Sequence, residues 1–181
     1  MPLTDQELLR ICDWEPYRAD WPVNRNSIDD NIRARYGGLI SALHDSSLLR
    51  VHQTQDGGMS NYLEFWCRPT NVPDGEAVAE ILLCVCLCAP VAAYCESPQV
   101  TIPDMSGTGF LDEDSLNQTR SPSLREAEAF IRQVLVEAEV ELLDKSELLK
   151  LLPAGIVLNF SLMVANPKQG LVYEGLFQFS D

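Results

Sequence analysis

Four of the six cysteines lie within residues 84–95, in the run "AEILLCVCLCAPVAAYC". Thiols so close together could bind a soft metal, exchange disulfides, or simply fill a core. Structural zinc sites take four ligands in a tetrahedral array, mostly from loops with two to four residues between paired cysteines. Here the thiols of Cys84, Cys86 and Cys88 alternate with Val85 and Leu87 in the most apolar part of the chain. On a strand the three would share one face. On a helix Cys84 and Cys88 would share a face and Cys86 would point away. The run from Gly75 to Ala89 has no breaker after its first residue, Asp74 can cap a helix start and Pro90 can end one. These features predict a buried helix, with reduced thiols that pack as small hydrophobes. No metal or cofactor is expected.

Other groups with chemical potential are few. A cysteine–histidine nucleophile pair would have to use His44 or His52, with Cys67 as the thiol. The positions of both histidines, at the end of one predicted helix and within a predicted strand, argue for structural roles. The stretch "DMSGTGFLDEDS" places Asp104, Ser106, Thr108, Gly109 and Asp112 at positions 1, 3, 5, 6 and 9 of a calcium loop. Position 12 is Ser115 where a bidentate glutamate is required. "SGTGF" lacks the lysine of a phosphate-binding loop, and no serine-hydrolase or zinc-protease motif is present.

The elements that would position these groups follow from periodicity. Thr4 and Glu7 have capping-box spacing and predict a first helix. Ile28, Ile32, Tyr36, Leu39, Ile40 and Leu43 keep helical spacing to about His44, across Gly37-Gly38. "LLRVHQT" and "NYLEFWCRP" flank an Asp-Gly-Gly turn and predict a β-hairpin. "VAAYCES" and "VTIP" predict short strands, and 104–122 a long acidic loop. Leu124, Ala127, Ile131, Leu135, Ala138 and Leu142 line one face of a helix from Ser121 to about Asp144. "GIVLNFSLMVAN" and "LVYEGLFQFS" predict a second hairpin. The expected fold is a single α+β domain over 1–181, with a mostly antiparallel sheet built from two hairpins and helices packed on one face.

Composition narrows the function. The 181 residues are 46% hydrophobic and 22% charged, which suits one globular domain. The acidic N-terminus lacks the apolar core of a secretory signal, and the longest uncharged runs fall short of the roughly 20 residues that span a bilayer. A cytoplasmic protein is expected. The net charge is −14, with nine acids against two bases in residues 61–120. That balance speaks against nucleic acid and anionic membranes, which need clustered bases. It suits a basic protein partner.

The reading that follows is a non-enzymatic binding protein, an acidic inhibitor or immunity-type antitoxin that occludes a basic toxin or effector. Its candidate contacts are Glu96, Asp104, Asp112, Glu113 and Asp114, with the aromatic residues Trp14, Tyr17 and Trp21 as a second surface. A small enzyme with a carboxylate or thiol site and a structural or adaptor subunit of an oligomer are the alternatives.

Overall fold

The computed structural model of the chain describes residues 3–23, 28–56, 60–72, 79–97, 111–156, 158 and 170–177. Five strands form one sheet in sequence order: β1 (Leu49–Asp56), β2 (Tyr62–Pro69), β3 (Glu80–Cys86), β4 (Val91–Ser97) and β5 (Glu141–Leu142). The first four pair antiparallel, and the short β5 runs parallel to β4. The helices are α1 (Asp5–Cys12), α2 (Ile28–His44), α3 (Arg125–Glu137), α4 (Lys145–Leu148) and α5 (Val172–Leu176). The fold is α+β with a mostly antiparallel sheet, as the sequence predicts.

The cysteine run is not a helix. It supplies the central strand β3 and the first turn of a second hairpin, β3–β4. Every residue from Ile81 to Ala89 is buried. Ile81, Leu83, Val85 and Leu87 enter the core on one side of the sheet, while Leu82, Cys84, Cys86 and Cys88 enter the core on the other. A strand covered on both faces reads as an unbroken apolar run, so its twofold period is hidden. Cys95 and the partly buried Cys12 join the same side as Cys84, Cys86 and Cys88, whereas Cys67 faces the opposite side.

The two long helices share one face of the sheet. Ile32, Tyr36, Leu39 and Leu43 of α2 pack there with Ala127, Ile131, Val134 and Leu135 of α3. The other face is covered by short elements: Leu8 and Ile11 of α1, Leu148 of α4, and Val172 and Leu176 of α5. The capping box of α1 is present, with the Glu7 backbone N–H on Thr4 Oγ1 at 3.3 Å and the Thr4 backbone N–H on Glu7 Oε2 at 2.9 Å. The helix α2 runs through Gly37 and Gly38, and a side chain at Gly38 would meet nothing within 4 Å.

Two further expectations are corrected. The helix expected over 121–144 ends at Glu137. Glu139 then takes a left-handed conformation, φ 54°, and Leu142 lies in β5. The backbone here serves β4, with the Glu141 N–H donated to Pro90 O at 2.9 Å. In the expected C-terminal hairpin, Val172–Leu176 is a short helix, begun by Glu174 accepting the Leu171 N–H at 2.6 Å. Most of its other arm, including Phe160, Leu162 and Val164, lies outside the described residues, as do the expected strand at 100–103 and the turn between β1 and β2. Among the described residues, no helix is long and apolar enough to cross a membrane.

The helix phase can be tested. Ile131 is fully buried, while Phe130 is only partly covered at the edge of the same core. Ile131→Ala should cost about 2–5 kcal/mol, the usual price of deleting a buried large aliphatic side chain. Phe130→Ala should cost less, as read from urea unfolding midpoints.

Candidate functional site

The sequence's acidic candidates meet at one end of β4. Asp112 begins a 3₁₀ turn, Glu113–Ser115, that lies over Cys95 and Glu96. Its side chain accepts the Asp114 N–H at 3.3 Å and the Ser115 hydroxyl at 2.8 Å. Leu111 and Leu116 plug into the core on either side of the turn, so its backbone is held from below. Arg120 and Lys145 donate to the Asp114 carbonyl at 3.2 and 2.9 Å, and the Tyr173 hydroxyl donates to Glu113 at 3.2 Å. Asp112, Glu113 and Asp114 are exposed, and none is in an ion pair among the described residues. The turn therefore presents three carboxylates on a fixed backbone.

Glu96 adjoins this turn but has an internal task. Its carboxylate accepts the backbone N–H groups of Arg120 and Ser121 and the Ser121 hydroxyl. That contact ties the segment before α3 to the end of β4. Asp104 lies outside the described residues. A second polar cluster pins the same segment further along. Glu128 accepts from Thr119, from the Tyr94 hydroxyl and from Arg132 at 3.1 Å, while Asn117 exchanges hydrogen bonds with the Tyr94 backbone at 2.7 and 2.9 Å. Asn117 itself sits at φ 54°, a left-handed geometry that asparagine tolerates better than most residues.

The aromatic candidates form a separate structure around the β3–β4 turn. The Tyr17 N–H donates to Cys88 O at 2.8 Å, and the Trp21 indole N–H to Leu87 O at 2.7 Å. The two rings meet edge to face, 5.4 Å between centroids. Arg18 lies over Tyr17 and Arg35 over Trp21. Trp14 turns the chain out of α1 with φ 61°. All three rings are half-buried. Tyr17 and Trp21 pack against the core at this end and supply donors to its turn, from the Tyr17 backbone and the Trp21 indole.

One constellation has no counterpart in the sequence motifs. Glu64, in the middle of β2, is fully buried. It accepts from the Thr54 hydroxyl, from the Trp66 indole at 3.2 Å and from the Tyr62 hydroxyl at 3.5 Å, and its register partner on β3 is Cys84. The only signal was a single acid inside the aromatic strand "NYLEFWC". A carboxylate shut off from solvent cannot meet a solute in this arrangement, so its donors hold strands β1 and β2 together. His52 lies exposed on the same side of the sheet as Glu64, opposite Cys67, and His44 is exposed at the end of α2. The cysteine–histidine pair is not assembled. Among the described residues, no group of three or more His, Cys, Asp and Glu side chains is arranged to hold a metal.

The electrostatics of the acidic end follow from its hydrogen bonds. Burial alone would raise Glu96 and Glu128, but the donors of Ser121 and Arg120, and of Thr119, Tyr94 and Arg132, outweigh it and leave both below the ordinary glutamate value. For Asp112 the Ser115 hydroxyl is the largest cause, and its carboxyl is also lowered. The thiols go the other way. Burial pushes Cys12 and Cys88 up to about 12 and Cys95 up to about 11.

Two measurements check this. A carboxylate with a lowered folded value stabilises the fold fully above its unfolded value, about 4.3 for glutamate, and loses that effect as pH falls through the folded value. Stability should therefore drop as pH falls from about 5 to about 3, and less steeply in Glu96→Gln. At neutral pH, Glu96→Ala should cost about 1.5–3 kcal/mol, as for hydrogen bonds to a charged acceptor. For the thiols, iodoacetamide mapped by mass spectrometry should label Cys12 first and slowly, since thiolate is scarce at pH 8. Cys67, Cys84 and Cys86 should label only on unfolding.

Comparison with known protein families, curated sequences and solved structures found no match to this chain.

Proposed function

We propose that the protein is a non-enzymatic cytoplasmic binding protein, an acidic inhibitor of the immunity or antitoxin kind, whose acidic end occludes a basic protein partner. The observation that carries this reading is the 3₁₀ turn with Asp112, Glu113 and Asp114 exposed on a backbone anchored by Leu111, Leu116, Arg120 and Lys145. A fixed array of like charges costs little further ordering on binding, and preorganisation favours affinity. Arg120 and Lys145, both bonded to the Asp114 carbonyl, offset part of this charge, and the three exposed carboxylates outnumber them. The net charge of −14 extends the negative field beyond the turn.

Complementary charge acts mainly on encounter, which suits an inhibitor that must capture its target quickly. The test begins with affinity capture of the partner from the producing cell, followed by association kinetics at several salt concentrations. The triple variant Asp112→Asn, Glu113→Gln, Asp114→Asn keeps the cap on the turn, because asparagine caps as well as aspartate. Its on-rate at low salt should fall by roughly tenfold, the lower end of electrostatic steering, with the unfolding midpoint unchanged. A captured partner whose on-rate ignores both salt and the triple variant would refute the acidic end as its binding surface.

A further inference from the structure

We draw no further inference here: the strongest candidate, the side-chain cluster of Arg50, His52, Arg68 and Glu80 at one end of strands β1 to β3, has its largely buried cation Arg68 already facing the Glu80 carboxylate at 3.8 Å, and nothing in the structure shows what would cover it.

Discussion

The β3–β4 hairpin lies inside the protein, and its backbone must still find hydrogen-bond partners. A buried carbonyl without a donor costs free energy comparable to a lost hydrogen bond. Five consecutive carbonyls around this turn are satisfied from different places. Tyr36 of α2 serves Cys86, the Trp21 indole serves Leu87, and the Tyr17 N–H serves Cys88. Val91 closes on Ala89 within the turn, and Glu141 of β5 serves Pro90. The N-terminal aromatic segment, α2 and the strand after α3 are thereby fixed to one point. The irregular stretch 13–24 is ordered around that need, although it forms no regular element where described.

Polar residues inside the fold follow the same logic. Glu64 is buried yet surrounded by hydroxyl and indole donors. Glu96 and Glu128 replace secondary structure as the fasteners of residues 111–124, each accepting several donors from that segment or beside it. With those two carboxylates turned inward, the outward charge of this end rests on Asp112, Glu113 and Asp114. The arrangement turns Glu96 and Glu128 to holding the fold and leaves Asp114 facing solvent, while Asp112 and Glu113 do both, exposed yet bonded to Ser115 and Tyr173.

Legibility in the sequence tracked solvent exposure. The helices α1 and α2 and the strand β1 each have one wet face, so their periods of 3.6 and 2 were visible in the capping box of Thr4 and Glu7, in Ile32-Tyr36-Leu39-Leu43 and in Leu49-Arg50-Val51-His52, while β2, buried on both faces, was legible from its aromatic run beside Asp56-Gly57-Gly58. The strand β3 has no wet face, and its leucines and cysteines gave no period to read. The end of α3 was misplaced because Ala138 and Leu142 continue the helical stripe, and nothing local announces that Glu139 leaves the helix. Four of the acidic candidates, Glu96, Asp112, Glu113 and Asp114, do come together, but sequence could not tell that Glu96 is consumed by Ser121 and Arg120. Glu64 was invisible as a site, since a single acid in a strand looks the same whether it points to water or to a core.

The sequence by itself determined the α+β class, the mixture of hairpins and amphipathic helices, and the acidic balance, because composition and periodicity are properties of the chain alone. Tertiary structure decided which apolar run became the central strand. Only a sheet covered on both faces gives the six buried residues Ile81–Cys86 in extended form partners on either side. It also decided which carboxylates are fasteners and which are surface, because that depends on donors twenty or more residues away in sequence, such as Ser121 for Glu96 and Tyr94 for Glu128.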